Sequence, residues 1–363
     1  MSDTKVRTIV VMHGDQTGEE LLQEALRVLV PDVIGINLEF QHFDLSLMNR
    51  HETQNRVVKE AAAAVCTTGL GLKAATITPI NPDDVGSPNA ILREEMDGKV
   101  ILRIGRRIPR VQPVGGVHAP IAIVRMAVDD AYGAKEWRET IAGGDELAYR
   151  TSRISRKICL NVAEFSFQLA ERTGARVFGG PKYTVSPIYE GLFKEELDAA
   201  AARHPNVIYE PLLIDATLAL LMKSGGEALV IPALNRDGDL LSDMVLQMFG
   251  SIAGAESLVL SFDDAIQVKA VLAEAPHGTA PALEGKNIAN PMAMILAGAA
   301  LLTYLRTPEA DLASRAIYES VFEAVYAGKA TTDLGGSLST TEFTDEVIQH
   351  VNAKLDVWSG LRG

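Results

Sequence analysis

The chain has 363 residues, of which 47% are hydrophobic and 22% are charged, so it can bury a large core and is not expected to be disordered. Its formal net charge of −13 argues against nucleic acid or an anionic membrane as the main partner. The two cysteines and the seven scattered histidines provide neither a disulfide framework nor a zinc-binding spacing. Without a secretory signal or a long apolar run, we expect a soluble, cytoplasmic protein with no membrane partner.

The chain opens with a predicted strand, a glycine-containing turn and a helix. Val6–Met12 predicts the strand, and Glu19–Val30 predicts the helix. Many nucleotide-binding folds begin in this way, yet the G-x-G-x-x-G spacing of a Rossmann site is missing throughout. A P-loop is also missing, because six residues instead of four separate Gly278 from Gly285-Lys286. The sequence therefore predicts no conventional Rossmann or P-loop site.

Strand and helix patterns alternate along the rest of the chain, and this alternation indicates an α/β fold. The length favours about two domains, although no repeat or low-complexity linker marks a boundary. Further strands are predicted at Ala74–Thr78, Val100–Ile104, Ile121–Val124, Arg176–Phe178, Val207–Tyr209, Ala228–Ile231 and Ser257–Ser261. Further helices are predicted at Asn55–Val65, Ser155–Arg172, Leu213–Met222, Asn290–Leu305 and about 308–326 and 342–355.

A basic segment interrupts this acidic chain between Lys99 and Arg125, with six basic residues and no acid. Arg103 and Arg125 fall at predicted strands, and Arg93 falls on the helix that precedes them. Guanidinium groups bind carboxylates through paired hydrogen bonds, so the three arginines predict a site for a carboxylate ligand. Two alternatives remain open from the residues alone: a solvated basic loop, and an exposed surface that binds anions or nucleic acid.

Three other polar residues have an ordinary structural explanation beside a functional one. Ser87 precedes Pro88, so it can be an N-cap and nothing more. Tyr132, in a turn-like stretch, can be a packed aromatic residue. Lys182 follows a Gly-Gly-Pro turn, where a lysine is usually solvated. If Lys182 instead faces a buried metal ion, its pKa can fall far enough for proton transfer.

Three aspartates form a candidate metal site. Asp239 and Asp243 follow the predicted strand Ala228–Ile231, and on a helix their four-residue spacing places both carboxylates on one face. Two close carboxylates repel each other, and a hard divalent cation such as Mg²⁺ or Mn²⁺ relieves that repulsion. Asp215 lies in an apolar run, where a carboxylate is costly unless it meets a cation or a cap partner. The alternative is that acidic residues simply favour the first turns of a helix.

Taken in order, these stretches resemble the β-decarboxylating dehydrogenase family, which includes isocitrate, 3-isopropylmalate and homoisocitrate dehydrogenases. The resemblance covers nearly the whole chain. Its most specific segments are 235–243, with Asp215 placed 24 positions before Asp239, and 277–281 with Asn290. It implies an isocitrate/isopropylmalate dehydrogenase-like α/β fold of two domains with a central cleft.

The resemblance also implies how the chain is divided and assembled. A large cofactor-binding domain would contain residues 1–98 and 253–363, and a small central domain would contain residues 99–252. Two chains would form a homodimer with shared active sites. In that dimer the central domain of each subunit would lend Lys182 and Asp215 to the site of its partner.

Each matched residue receives an expected role from the resemblance. Lys182 would take the proton of the substrate hydroxyl, and Tyr132 would protonate the enol carbon. Asp215, Asp239 and Asp243 would bind Mg²⁺ or Mn²⁺. The expected substrate ligands are Ser87, Asn89, Arg93, Arg103 and Arg125. The expected cofactor ligands are Thr78, Glu274, His277, Gly278, Thr279, Ala280, Asn290 and Asp333.

The expected cofactor is NAD. Members of the family that use NADP carry a Lys-Tyr pair after the His-Gly-Thr-Ala-Pro loop, where this chain has Ala282-Leu283. Without a cation at that place, binding of the 2′-phosphate gains little. Residues 332–336 also resemble the branches that use NAD. One departure is that the acidic residue that many NAD users carry at the position of Ala282 is missing.

The expected substrate is a small 2-hydroxy polycarboxylate, with isocitrate as the first choice. Ser87 and Asn89 are polar where isopropylmalate enzymes tend to carry aliphatic side chains. The loop before Ser87 is one residue longer than usual, and Met126-Ala127 replaces the Glu-Asn that commonly follows the matching arginine. Isopropylmalate, homoisocitrate or another 3-substituted malate therefore remains an alternative substrate. In a different class, the alternative is a non-catalytic regulatory subunit.

Overall fold

The computed structural model describes residues 7–81, 83–114, 119–223 and 225–360. In these residues the strands are β1 (Arg7–His13), β2 (Leu38–Asp44), β3 (Leu70–Lys73), β4 (Val100–Gly105), β5 (Ile121–Met126), β6 (Lys135–Thr140), β7 (Glu146–Thr151), β8 (Arg176–Phe178), β9 (Tyr209–Glu210), β10 (Leu229–Ala233), β11 (Ser257–Phe262) and β12 (Val268–Glu274). The α-helices are α1 (Gln16–Val28), α2 (Pro31–Ile34), α3 (Leu47–Thr53), α4 (Arg56–Thr68), α5 (Pro88–Glu95), α6 (Arg156–Thr173), α7 (Tyr189–Arg203), α8 (Ile214–Leu221), α9 (Asn235–Met248), α10 (Met292–Leu302), α11 (Pro308–Tyr326) and α12 (Thr340–Gly360). None of the helices in these ranges is long and apolar enough to cross a membrane.

Ten strands form one sheet in the order β2-β1-β3-β12-β11-β4-β5-β10-β8-β9. The first four are parallel to one another, and so are the last four. Between these groups, antiparallel pairing of β12 with β11, β11 with β4, and β4 with β5 reverses the strand direction. Parallel strands need crossover connections, which helices supply here. The predicted α/β class is therefore confirmed.

One face of the sheet carries a single continuous hydrophobic core. Side chains on a strand alternate between faces, so Val11 of β1, Leu258 of β11 and Val124 of β5 all join this core. Helices α1, α6, α10, α11 and α12 contribute the other side of it. This core extends beneath both groups of parallel strands and holds them in one sheet.

The opposite face carries two separate smaller cores, one of which includes Ile101 of β4 and the other Ile123 of β5. Arg103 and Arg125 lie two positions further along the same strands, so they project from this same face. The boundary between the two small cores therefore falls where the two arginines lie. This placement creates a cleft rather than a continuous apolar layer.

Most of the predicted elements are confirmed, with shifts of a few residues at their ends. The strand predicted at Ala74–Thr78 is wrong, because the strand is β3 and residues 74–78 form a loop. The Ile77 amide donates to the Asp15 carboxylate (2.8 Å) instead of to a neighbouring strand. Gly71 makes β3 difficult to recognise from sequence, although a Cβ there would meet Val65 at 2.8 Å. Val6, the first residue of the predicted opening strand, lies outside the described residues.

Candidate active site

A cavity of about 840 Å³ opens at the cleft and is large enough for a small-molecule ligand. Side chains from β4, β5, α5, α9 and their neighbouring loops form its wall. The structure brings together eight of the predicted site residues in this wall: Thr78, Ser87, Asn89, Arg93, Arg103, Arg125, Tyr132 and Asp239.

Three guanidinium groups meet in this cavity. The side chains of Arg125 and Arg103 are only 3% and 13% exposed. Burial lowers the pKa of Arg125 to about 10 and also lowers the pKa of Arg93. The Nε atom of Arg93 is buried and has no hydrogen-bond partner among the described residues. A buried donor without an acceptor is unfavourable, so this arrangement fits an anionic ligand.

Helix α5 carries the polar side chains of one cavity wall. Ser87 is its N-cap and Pro88 its first residue, as predicted. The Ser87 side chain, however, forms no capping hydrogen bond, so capping alone does not explain it. The Oδ1 atom of Asn89 is buried and meets no donor in the described part of the chain. Both side chains therefore offer unused hydrogen-bonding capacity to a ligand.

Tyr132 contacts the metal candidate Asp239 directly. Its hydroxyl donates to Oδ2 of Asp239 at 2.5 Å, and the guanidinium of Arg125 lies 5.2 Å from its ring centre. Burial, together with this hydrogen bond, raises the pKa of Tyr132. The phenol is therefore protonated at neutral pH and can donate a proton to a substrate atom in the cavity.

Asp239 and Asp243 lie on α9, one turn apart, as their spacing predicts. Oδ1 of Asp239 accepts from Arg125, and Oδ1 of Asp243 accepts from Arg103 at 2.9 Å. The two carboxylates are 33% and 70% exposed, so a cation can reach them from solvent. Carboxylate oxygens at this spacing fit a hard divalent cation.

Lys182 and Asp215 form a pair of their own, with Nζ and Oδ2 2.5 Å apart. The hydrogen bond from Lys182 lowers the pKa of Asp215. Neither residue contributes to the cavity wall. Within the described ranges of one chain, no three metal-binding side chains are close enough to hold an ion. The contribution of Asp215 to the site of a second subunit therefore stays a prediction.

Six of the eight residues predicted to bind the cofactor lie from Glu274, the last residue of β12, to Asn290, just before α10. Thr78 lies in the cavity wall instead, and Asp333 lies in the 3-10 turn Thr332–Leu334. Oε2 of Glu274 accepts from Lys73 at 3.3 Å, and the Asn290 side chain donates to Asp333 at 3.0 Å. In the loop of His277, Gly278, Thr279 and Ala280, the last residue accepts a hydrogen bond from Thr17 (2.8 Å).

His277 provides the test of whether this loop fits a cofactor. Its Nε2 atom is buried and has no partner among the residues described. Burial lowers the pKa of His277, so the ring is neutral at physiological pH. A buried imidazole nitrogen that can still accept or donate a hydrogen bond fits a polar ligand such as a nicotinamide nucleotide.

Sequence interpretation missed Lys73, which is 1% exposed and donates to the Ala74 carbonyl (2.9 Å) and to Glu274. Strand pairing places Lys73, Glu274, Ser257 and Arg103 in one row across four adjacent strands. Burial lowers the pKa of Lys73. In the sequence, Lys73 is a single charged residue in an apolar run, and Asp215 was recognised from the same kind of pattern.

Arg50, which was also missed, is completely buried on α3. Its guanidinium donates to the carbonyl oxygens of Leu45 (3.1 Å), Gly86 (3.2 Å) and Ile77. Two of these carbonyls belong to the loop that carries Thr78 and ends at Ser87. Arg50 therefore holds this loop in place beneath the cavity, and no local sequence pattern signals such long-range contacts.

We expect Arg50→Met to lower the free energy of unfolding by about 3 kcal/mol, because it removes one buried and two partly buried hydrogen bonds to carbonyl oxygens. Release of the loop is also expected to raise KM more than it lowers kcat. Urea unfolding and steady-state kinetics measure both effects. Arg56→Gln, at an exposed residue of α4, is the control and should change unfolding by less than about 0.5 kcal/mol. Equal stability of the two variants would contradict the role of Arg50.

The basic segment is divided in its described part, where Arg107 and Arg110 are exposed and the other four basic residues are buried or half-buried. Arg103 and Arg125 point into the cavity. Arg106 forms an ion pair with the buried Glu256, and Lys99 forms one with Asp97. Because Arg103 and Arg125 line a cleft, the structure favours a carboxylate site over an open basic surface for nucleic acid.

The chain is similar to known proteins in both sequence and fold. A family model described as isocitrate/isopropylmalate dehydrogenase matches residues 8–347. The NAD isocitrate dehydrogenase catalytic subunit 5, mitochondrial, of Arabidopsis thaliana is 29% identical over 354 residues, which is 96% of this chain and 90% of the relative. The 3-isopropylmalate dehydrogenase of Methanothermobacter thermautotrophicus is 31% identical over 350 residues, covering 96% of this chain and 99% of the relative. The crystal structure of isocitrate dehydrogenase from Methylococcus capsulatus shares the fold, with a TM-score of 0.83 at 22% identity, covering 96% of this chain and 100% of that one.

Proposed function

Because the chain belongs to the isocitrate/isopropylmalate dehydrogenase family, we propose that it oxidatively decarboxylates a 3-substituted malate, with isocitrate as the first candidate, and reduces NAD. The family and the fold predicted from sequence are both confirmed. The observation that carries the proposal is the convergence of three arginines, Tyr132 and Asp239 in one cleft.

The charge and polarity of the cavity support a tricarboxylate substrate. Three guanidinium groups can hold three carboxylates through paired hydrogen bonds. Ser87 and Asn89 offer further polar contacts on α5. The Ser87 hydroxyl and the Asn89 side-chain amide group can donate hydrogen bonds to a carboxylate on the C3 substituent, whereas an isopropyl group offers them no acceptor. Isocitrate and homoisocitrate, which carry a carboxylate on the C3 substituent, therefore suit the site better than 3-isopropylmalate.

Asp239 and Asp243, together with Asp215 of the partner subunit, would hold Mg²⁺ or Mn²⁺, which supplies Lewis-acid stabilisation of the negative charge that develops on the substrate oxygens. NAD supplies the hydride acceptor. Lys182 of the partner subunit, as the neutral amine, takes the C2 hydroxyl proton on Nζ, and the neighbouring Asp215 orients that amine.

After the C2 hydride and the hydroxyl proton are removed, the bond from C3 to its carboxylate breaks and carbon dioxide leaves. Tyr132 then donates its phenolic proton to C3. Its raised pKa keeps that proton available, and its hydrogen bond to Asp239 fixes the ring at the cavity. Arg93, Arg103 and Arg125 keep the remaining carboxylates in place during these steps.

A homodimer with shared sites forms part of the proposal. Large apolar side chains are exposed on and beside the two helices that carry the aspartates: Leu220 and Met222 at α8, and Leu240 on α9. Strands β6 and β7 pair only with each other within the described chain and expose Trp137 and Leu147. An isolated hairpin of this kind is marginally stable in water. A twofold contact through these surfaces would cover them and would bring Asp215 of the partner subunit towards α9.

The cofactor loop supports NAD over NADP. Ala282 and Leu283, in the 3-10 turn Pro281–Leu283 that follows the His277 loop, offer no charge to a 2′-phosphate. A phosphate gains affinity mainly from charge-assisted hydrogen bonds, which these side chains cannot donate.

A substrate panel tests this function directly. We expect the purified protein to reduce NAD with isocitrate and Mg²⁺ or Mn²⁺, and expect a chelator to abolish the reaction. The panel contains isocitrate, homoisocitrate, 3-isopropylmalate, malate and tartrate, each with NAD and NADP, and absorbance of the reduced nicotinamide is the measurement. Turnover with 3-isopropylmalate alone would contradict the substrate but keep the chemistry. Binding of isocitrate without turnover of any substrate would favour a regulatory subunit.

A further inference from the structure

A second cavity, of about 420 Å³, lies at the other end of the sheet strands from the candidate active site. The starts of β1, β3 and β12 and the 3-10 turn Thr303–Leu305 after α10 form its wall. Strand β12 carries Lys269 at this cavity and Glu274 at the active-site end. Five strand residues span about 17 Å, so the two cavities are separate.

Three cations line this second cavity: Arg7, Lys269 and Arg306. No acidic residue of the described chain contributes to the wall, and none of the three cations forms an ion pair with another described residue. The chain as a whole carries a net charge of −13, so an uncompensated group of three cations is unusual in it. Such a group creates a local positive potential that a small anion can neutralise.

Residues with hydroxyl groups belong to the same wall. Thr8, Thr68 and Tyr304 contribute to the wall of this cavity. Burial raises the pKa of Tyr304 to about 12, so its phenol keeps its proton at neutral pH. No carboxylate side chain of the described residues competes with an anion in this wall.

The backbone of Arg306 is an independent observation at this place. Its φ of +55° lies in the left-handed region, which is unfavourable for a residue with a Cβ atom. Its guanidinium donates to the Val268 carbonyl at 3.0 Å, which holds the charge at the start of β12. Strained backbone of this kind is concentrated at ligand sites, where the position of a side chain matters.

We propose that this cavity binds a small phosphate-bearing anion, either inorganic phosphate or the phosphate of a nucleotide. A phosphate carries up to two negative charges and several acceptor oxygens, which match three cations. The apolar part of the wall, with Leu70, Val271 and Leu305, is almost fully buried and offers little surface to a nucleoside attached to that phosphate. This site does not depend on which substrate the active site turns over.

Calorimetric titration at low ionic strength with inorganic phosphate, AMP and ADP tests the proposal. The double variant Lys269→Gln, Arg306→Asn removes two charges, and asparagine tolerates the left-handed backbone at 306. We expect it to weaken phosphate binding at this site at least ~10-fold, since each charge-assisted hydrogen bond contributes substantially. Tighter binding of ADP than of phosphate would identify a nucleotide site, and equal binding would identify a phosphate site.

Controls separate this cavity from the active site and from a general effect of charge. Arg103→Met weakens any phosphate binding by the active-site arginines, and the binding that survives it should disappear when Lys269→Gln and Arg306→Asn are added. The double variant Lys59→Gln, Arg315→Gln makes the same change in net charge on exposed helices and should bind phosphate as the unmodified protein does. Lys269→Gln alone changes one exposed side chain, so it tests the site even if the double variant fails to fold. Unchanged binding in Lys269→Gln, or equal loss in the control, would overturn the proposal.

Discussion

Mixing subunits that carry Lys182→Met with subunits that carry Tyr132→Phe should restore about a quarter of the unmodified activity, although each variant alone should lose roughly 10³-fold or more in kcat. Random pairing of the two subunits produces about one half mixed dimers. In a mixed dimer one of the two sites receives Tyr132 from one subunit and Lys182 from the other. That site is intact, whereas the second site carries both defects.

The structure of one chain explains why such complementation is expected. Tyr132 lines the cleft and is hydrogen-bonded to Asp239, whereas Lys182 is paired with Asp215 outside the cavity wall. The exposed apolar residues near Asp215 and Asp239 favour a twofold contact through α8 and α9. A lysine that removes the hydroxyl proton must reach the substrate, and a second subunit is the proposed source of that lysine.

The measurement combines activity with a test that mixed dimers have formed, for example with two different affinity tags. Tyr132→Phe mixed with Arg103→Met is the matched control, because both defects lie in residues of the same cavity. Each site of that mixed dimer keeps one defect, so no recovery is expected. Absence of recovery with Lys182→Met, despite confirmed mixed dimers, would contradict the shared active site.

The sequence predicts those features of this site that are determined by residues close to one another in the chain. The four-residue spacing of Asp239 and Asp243 predicted a shared helix face because helical geometry is set by local backbone bonds. Arg103 and Arg125 were recognised because they lie at predicted strands within a basic segment, and strand pairing in the structure places them on a common face. The family motifs added roles that spacing alone does not provide.

Features that depend on contacts distant in sequence were not predicted. Arg50 is held by hydrogen bonds to three carbonyl oxygens from two other segments. Lys73 is paired with Glu274, which is 201 residues away. The sequence prediction placed strand β3 at the wrong residues because Gly71, which packs closely against Val65, lowers the strand propensity of this segment. The division into residues 1–98 with 253–363 and residues 99–252 stays a prediction, since one sheet runs through both parts.

Removal of the Asp239 charge is the sharpest test of the metal site. We expect Asp239→Asn to weaken Mn²⁺ binding by at least ~100-fold, because changes outside the direct ligands of a metal already cost 10- to 100-fold. The amide oxygen can still accept the Tyr132 hydrogen bond, so the position of the tyrosine should survive. Turnover should fall by about the same factor and should recover in part at high Mn²⁺. Titration of Mn²⁺ by electron paramagnetic resonance, alongside turnover, measures both effects.

Asp237→Asn provides the matched control on the same helix. Asp237 lies two residues before Asp239, so its side chain leaves α9 on a different face and should not contact the ion. Its removal makes the same change in net charge at nearly the same place. If Asp237→Asn lowers Mn²⁺ affinity as much as Asp239→Asn, the effect is one of general charge. Retention of full Mn²⁺ affinity by Asp239→Asn would place the ion elsewhere, and the roles proposed for Asp243 and for Asp215 of the partner subunit would be lost with it.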